Sequence, residues 1–394
     1  MSLYQKSDLP IAGMLPADKE YFLHVIIRIM NRNLTISVMI KPSSALCNLR
    51  CRYCFYMDES KNRDVPSHGL MKKETMVRLV DRIAEYLDGR GVANVSFQGG
   101  EPMMSGIDYY RDFIFEMKKH PGIKVHYSIQ TNGTLIDEEF AQFFRENNFL
   151  LGVSVDGYEE NMNYYRIGPH IGNAHRKVLE GIEILKKHKV DFNILTVITR
   201  KLAEHPGELF DFYLAQKYEF VQLIPCLPAF GVEDDGMSLT PELYASFYRT
   251  FFRAWRRAFL KGRYINVNLF ENLMAMLQGY YPYQCGMLGK CASQQVVESN
   301  GDVFPCDFYC LDEYKMGNVH DLSFSEMRIS DGVRELMKGS NCEKEICRAC
   351  KFRSICHGGC QRQNVCYLKD DHCAYQKVLN EVVPKLQELM KRNQ

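Results

Sequence analysis

The sequence has almost no excess of charge: 49 Lys and Arg stand against 48 Asp and Glu, a formal net charge of +1. Without a long-range field of either sign, neither nucleic acid nor an anionic membrane is expected as a partner. Long apolar runs are missing too. The segment Tyr21-Phe22-Leu23-His24-Val25-Ile26-Ile27-Arg28-Ile29-Met30 is broken by His24 and Arg28 and is too short to span a bilayer. No secretory leader is recognisable, so the expected compartment is the cytoplasm, where disulfides are rare. The rest is ordinary for a globular chain: 46% hydrophobic and 25% charged residues. A length of 394 residues accommodates one large domain and a smaller one.

Cysteine is the exception, with 15 residues. In a reducing compartment that number points to metal or cluster ligation. Cys47, Cys51 and Cys54 stand at C-x3-C-x2-C spacing just after the apolar run Ile36-Ser37-Val38-Met39-Ile40, which reads as a strand feeding a tight loop. Three thiolates on a [4Fe-4S] cube leave one iron open to a non-protein ligand. A zinc site short of one ligand, or a disulfide-bearing loop, is the alternative reading. With Tyr53 before the third cysteine, the stretch resembles the radical S-adenosylmethionine (SAM) superfamily. The resemblance implies that the amino and carboxylate groups of SAM chelate the open iron.

From Thr35 to about Leu227, β-rich runs alternate with amphipathic segments. The strands are expected at Thr35–Lys41, Ala93–Gln98, Lys124–Gln130, Phe149–Val155, Val190–Thr199 and Phe220–Pro225. Helices are expected near Lys72–Leu87, Tyr109–Lys119, Glu138–Asn147, Asn173–Lys187 and Gly207–Gln216. Six β/α repeats predict an α/β fold with a parallel sheet and covering helices. Alternation alone allows an open doubly wound sheet, whereas the resemblance implies a partial (β/α)6 TIM-like barrel over 35–235. Either way, ligands belong at the carboxyl ends of the strands.

The chemical motifs fall at those ends. Gln98-Gly99-Gly100-Glu101-Pro102 follows the second strand, and its glycines allow close backbone approach to a ligand. Read alone, the run is a turn; after the cysteine loop, it resembles the segment that contacts the methionine amino group of SAM. Ser128-Ile129-Gln130-Thr131-Asn132-Gly133-Thr134 ends the third strand and reads equally well as a capped turn or a site wall. Ser154 closes the fourth strand, Arg166 lies in a Tyr-rich loop, and Leu227 follows the sixth strand. A hydroxyl for a ribose or carboxylate, a fork for a carboxylate and an apolar contact for adenine are their ligand-binding readings. A strand cap, a solvated arginine and a free buried thiol at Cys226 are the ordinary ones. The resemblance assigns Tyr53, Gly99, Gly100, Glu101, Ser154, Arg166 and Leu227 to SAM.

Residues 236–284 read as a helical linker, with Trp255 in its core, and 376–394 as a terminal helix. Between them lie Cys285, Cys291 and Cys306, a hairpin signal at Asn300-Gly301, and then Cys347, Cys350, Cys356, Cys360 and Cys373. Two structural zinc sites are one reading of the eight. They resemble the SPASM extension of radical SAM enzymes, here 285–375, which holds two auxiliary [4Fe-4S] clusters. That resemblance implies one cluster on Cys285, Cys291, Cys306 and Cys360, and another on Cys347, Cys350, Cys356 and Cys373. Cys310, Cys342 and Cys366 are left over as buried thiols.

Within that superfamily, Ile40-Lys41-Pro42, Cys51-Arg52-Tyr53-Cys54-Phe55-Tyr56, Gln130-Thr131-Asn132-Gly133-Thr134 and Pro305-Cys306-Asp307-Phe308-Tyr309 resemble anaerobic sulfatase-maturating enzymes. Met103-Met104 departs from the family's usual Thr-Leu, and residues 1–34 lie outside the resemblance as an amino-terminal extension. The likeness implies oxidation of a cysteine or serine in an unfolded sulfatase segment of C/S-x-P-x-R type to Cα-formylglycine. It further implies SAM and three [4Fe-4S] clusters, Asp307 as proton acceptor, and Tyr56 and Gln98 as substrate contacts. An external donor such as flavodoxin or ferredoxin is also implied. A peptide maturase forming thioethers shares every cluster motif and stays open at this point, as does a non-catalytic iron–sulfur carrier.

Overall fold

The computed structural model describes residues 34–340, 344–369 and 371–392. Residues 1–33 of the amino-terminal extension and Cys342 lie outside the described residues. Six parallel strands form the frame: β1 (Thr35–Lys41), β2 (Gly91–Phe97), β3 (Ile123–Thr131), β4 (Leu150–Ser154), β5 (Asp191–Ile198) and β6 (Phe220–Pro225). Each lies within two residues of its expected position. The intervening helices are α1 (Phe55–Lys61), α2 (Lys73–Tyr86), α3 (Ile107–Lys118), α4 (Glu138–Glu146), α5 (Glu159–Tyr165), α6 (Ala174–His188) and α7 (Pro206–Gln216).

Local chemistry fixes several of these starts. Asp137 accepts from Phe140 N at 2.9 Å and caps α4, and Asn173 does the same for Arg176 N at 2.8 Å and α6. Leu79, Val80 and Ile83 of α2 are buried with Val38, Ile40 and Val95 of the sheet. Phe97 meets Tyr110 and Phe113 edge-on at centroid separations of 5.1 and 5.3 Å, which locks α3 to the end of β2.

The linker holds a feature its helical reading omits. Helices α8 (Pro241–Phe259) and α9 (Asn268–Leu277) are separated by the short strand β7 (Asn266–Val267), which pairs parallel with β6. Trp255 is core, its Nε1–H donating to Ile265 O at 2.8 Å. Beyond it, β8 (Gln295–Glu298) and β9 (Asp302–Phe304) form the expected hairpin, followed by β10 (Gly317–Asn318). Strand β8 also pairs parallel with β1, Val38 opposite Gln295 and Ile40 opposite Val297. One sheet therefore runs β10-β9-β8-β1-β2-β3-β4-β5-β6-β7. β1 and β6 never pair, so the barrel is partial, and its β1 edge is covered by the cysteine-rich extension. Helices α10 (Asp331–Ser340) and α11 (Ala374–Arg392) complete the described chain.

Candidate active site

A cavity of about 370 Å³ lies at the carboxyl ends of the barrel strands. Its wall combines Cys47, Cys51 and Cys54 with Cys285, Cys291, Cys306 and Cys360. Tyr53, Gln98, Gly99, Gly100, Ser154, Arg166, Leu227 and Asp307 line it as well. Residues far apart in sequence thus share one chamber.

The first cysteine loop is a tight turn, with Cys54 N–H donating to Cys51 O at 3.2 Å. Burial pushes the Cys47 thiol up to about 11 and the Cys51 thiol up to about 12, so bare thiolates here would need a bound cation. Asn132, at the end of β3, holds the loop: its Nδ2 donates to Asn48 Oδ1 at 2.8 Å and approaches Cys47 Sγ at 3.8 Å. The glycine pair serves the same loop. A Cβ on Gly100 would fall 2.0 Å from Leu46 O, and Gly100 N–H donates to Ser44 O at 2.8 Å. The close approach expected towards a ligand is made to the loop's own backbone.

Glu101 lines no part of the cavity. Its buried carboxylate accepts from Asn132 N at 2.7 Å, Thr131 Oγ1 at 2.8 Å and Met103 N at 3.1 Å, tying β2 to β3. Burial nonetheless pushes its carboxyl up to about 7. Arg166 reaches the cavity, but its fork is already engaged by Asp156, at 2.8 Å from Nε and 3.2 Å from Nη2. Tyr53 OH donates to the same carboxylate. This buried triad turns the Tyr53 end of the loop towards β4 and β5, where Val197 N–H also reaches Asp156 at 3.0 Å.

Asp307 faces the cavity from just after β9. Gln98 Nε2 donates to its Oδ2 at 2.8 Å, and Lys41 Nζ lies 3.0 Å from its Oδ1. Lys41 is wholly buried and also contacts Cys310 Sγ at 3.3 Å. Behind it sits a charged cluster of Glu59, Arg63 and Glu298, with Arg63 Nη1 2.9 Å from Glu298 Oε1. Tyr56 belongs to this cluster and not to the cavity wall: its ring lies 3.8 Å below Lys41 Nζ and its OH donates to Glu298. Lys41 and Asp156 have no reading of their own in the sequence, although Lys41 stands in the quoted Ile40-Lys41-Pro42 and Asp156 lies two residues after Ser154.

Cys347, Cys350, Cys356 and Cys373 are grouped away from the first loop. Burial, then the neighbouring Cys373, Cys347 and Cys350, push the Cys356 thiol up to about 12. Gln376 Nε2 donates to Cys350 Sγ at 3.2 Å. The described cysteines form no disulfide. Nor, among the described residues, do three or more Cys, His, Asp or Glu converge as ligands of a single ion. Three thiols in the first loop and four in each later set are the ligand counts a [4Fe-4S] cube takes with and without an open iron, so the donor sets fit such clusters.

Comparison with known proteins agrees with that chemistry. The radical SAM superfamily matches residues 42–213, and an iron-sulfur cluster-binding domain, SPASM, matches 289–351. The chain is therefore a radical SAM enzyme with a SPASM extension. The cysteine-type anaerobic sulfatase-maturating enzyme of Clostridium novyi is 40% identical over 83% of this chain and 88% of its own length. The serine-type enzyme of Bacteroides thetaiotaomicron is 32% identical over 82% of both chains. A solved structure of native anSMEcpe with bound AdoMet and Cp18Cys peptide superposes with a TM-score of 0.83 at 34% identity, covering 92% of this chain and 100% of that one. This chain belongs to the anaerobic sulfatase-maturating enzymes.

Proposed function

We propose that the protein oxidises a target cysteine, within a C-x-P-x-R-type segment of an unfolded sulfatase, to Cα-formylglycine. The observation that carries this reading is the shared chamber of the first cysteine loop and Asp307, whose carboxylate is held by Gln98 and Lys41. Family membership supports the substrate class. The 40% identity to a cysteine-type relative, against 32% to a serine-type one, favours cysteine over serine.

Cys47, Cys51 and Cys54 hold the SAM-binding cluster, Cys285, Cys291, Cys306 and Cys360 the first auxiliary cluster, and the remaining set the second. When bound, these groups supply a 5′-deoxyadenosyl radical for hydrogen abstraction from the substrate Cβ and an acceptor for the electron that leaves. The protein's own residues manage position and protons. Gly99, Gly100 and Asn132 fix the loop, Arg166 and Tyr53 are set by Asp156, and Ser154 and Leu227 line the SAM side. Asp307 takes the thiol proton, with Gln98 orienting one carboxylate oxygen and Lys41 the other.

The test is anaerobic incubation with SAM, a reductant and a cysteine-type sulfatase peptide, followed by mass spectrometry. An aldehyde at the cysteine is expected. A thioether cross-link, or SAM cleavage with an unchanged peptide, would overturn the assignment.

A further inference from the structure

We infer that two side-chain amides, those of Gln361 and Gln376, set the reduction potentials of the proposed auxiliary clusters above that of the proposed SAM-binding cluster. The inference rests on the proposed function, in which one cluster gives an electron to SAM and an auxiliary cluster takes one from the substrate. Gln361 Nε2 donates to Cys291 Sγ at 3.3 Å, and Gln376 Nε2 donates to Cys350 Sγ at 3.2 Å. Each auxiliary set of cysteines therefore receives a side-chain amide of its own. The first loop is treated differently. Asn132 Nδ2 lies 3.8 Å from Cys47 Sγ and donates to Asn48 Oδ1 at 2.8 Å instead. Backbone N–H groups serve both kinds of set, Leu49 N reaching Cys47 Sγ at 3.4 Å and Gln376 N reaching Cys373 Sγ at 3.4 Å.

The amide of Gln361 is held in place. Its Nε2 also donates to Leu336 O at 3.4 Å, and because a carbonyl only accepts, the nitrogen and not the oxygen faces Cys291. Gly339, near the end of α10, makes room for it, since a Cβ there would clash with Gln361 Oε1. Glycine loses more backbone entropy in a helix than alanine does, so this position serves the amide and not the helix. Gln361 also stands where the chamber meets a second cavity of about 280 Å³ that reaches Cys347, and Cys291 and Gln361 line both. It therefore lies between the two auxiliary sets.

The physical effect has one sign. Reduction adds negative charge that spreads onto the ligand sulfurs, and an N–H dipole aimed at one of them stabilises the reduced form. Away from bulk water that dipole is weakly screened. Donation at 3.2 and 3.3 Å on the accepting sets, against 3.8 Å on the donating one, grades the potentials in the direction the reaction needs.

The experiment is a reductive titration of the cluster-loaded enzyme, without peptide, followed by electron paramagnetic resonance. Added SAM marks the signal of the first cluster and so separates it from the other two. Gln361→Met and Gln376→Met keep the bulk of the side chain and remove the donor. Each should lower the potential of one auxiliary cluster by about 59 mV, a tenfold change in its oxidised-to-reduced ratio, and leave the first cluster unmoved. Gly339→Ala is the second arm should Gln361→Met fold poorly. It favours the helix, keeps Gln361 and crowds its amide away from Cys291, so a smaller fall of the same cluster is expected. Unchanged auxiliary potentials with full iron would overturn the inference, as would an equal fall of all three. Failure of wild type to oxidise a cysteine-type peptide, with the potentials moving as stated, would count against the proposed function and not against the tuning.

Discussion

Lys41 shows what a single buried charge does to this site. Burial pushes its pKa down, but Asp307, Cys310, Tyr56 and Glu59 together push it up further, and the net direction is upward. It therefore stays an ammonium group, fixing one oxygen of Asp307 while Gln98 fixes the other. Asp307→Asn keeps the shape and removes the proposed proton acceptor. Loss of a general base is typically worth ~10²–10⁴-fold, and aldehyde formation should fall in that range while 5′-deoxyadenosine still accumulates. Parallel quantification of both products in one anaerobic time course checks this; a matched fall in both would instead mean a substrate-positioning role. Glu59, behind Lys41, behaves differently. Burial pushes its carboxyl from 4.5 up to about 8, against the pull of Lys41 at 3.9 Å, Arg63 at 3.7 Å and the backbone N–H of Cys310. A raised carboxyl pKa means the folded state binds the proton more tightly than the unfolded chain. Stability from this group is present below 4.5 and is lost as pH rises towards about 8. Glu59→Gln imitates the protonated form, so it should flatten the fall in Tm between pH 5 and pH 8. An unchanged slope in thermal melts across that window would show that Glu59 is already ionised in the fold.

At the scale of elements, the terminal helix α11 is held to α8 by a compact ion network. Arg249 and Arg253 both reach Glu381 at 2.6 Å, and Lys385 joins at 3.1 Å. Hydrogen bonding from Arg253, first among these partners, holds the Glu381 carboxyl down at about 2. Its contribution is therefore present above 4.5 and fades as pH drops towards about 2. Arg249 and Arg253 are 40% and 51% exposed, so solvent screens the network, and Glu381→Gln should cost no more than about 1 kcal/mol at neutral pH. Urea melts at pH 7 and at pH 3 measure it, and a larger loss at pH 3 than at pH 7 would contradict the stated direction. The same helix was legible in the sequence, as were all six barrel strands, because each carries its signal locally in spacing and caps. β7 was not. Two residues between helices leave no periodicity, and only pairing with β6 makes Asn266–Val267 a strand. The parallel pairing of β8 with β1 was equally invisible, since Val38 and Gln295 meet only once the chain has folded. The cysteine-rich stretches that meet at the cavity were legible because their spacing is itself the signal, whereas Tyr56 gives no local sign that it turns inward to Glu298.

For the molecule as a whole, the consequence of that pairing is that barrel and extension share one sheet and one cavity wall. Cys360 is the sharpest case, for it follows Cys356 in sequence yet sits with the earlier cysteines. A Cβ on Gly286 would lie 3.2 Å from Cys360 Cβ, and Cys360 is a close electrostatic neighbour of both Cys285 and Cys306. Next to it, Gln361 Nε2 donates to Cys291 Sγ at 3.3 Å, which stitches the late stretch to the early one. The two loops therefore interlock, and formation of the site is coupled to folding of the extension. Three donor sets imply about twelve irons per chain after anaerobic reconstitution. Cys360→Ala should lose about four of them, lower the yield of soluble protein and depress aldehyde formation. On the proposed assignment the first cluster takes its ligands from Cys47, Cys51 and Cys54 alone, so reductive cleavage of SAM should survive in the soluble fraction. Iron analysis, 5′-deoxyadenosine and peptide mass are read on the same preparation. Full iron with normal turnover would show that Cys360 is not a ligand, and loss of all iron would show that the three sites do not assemble independently.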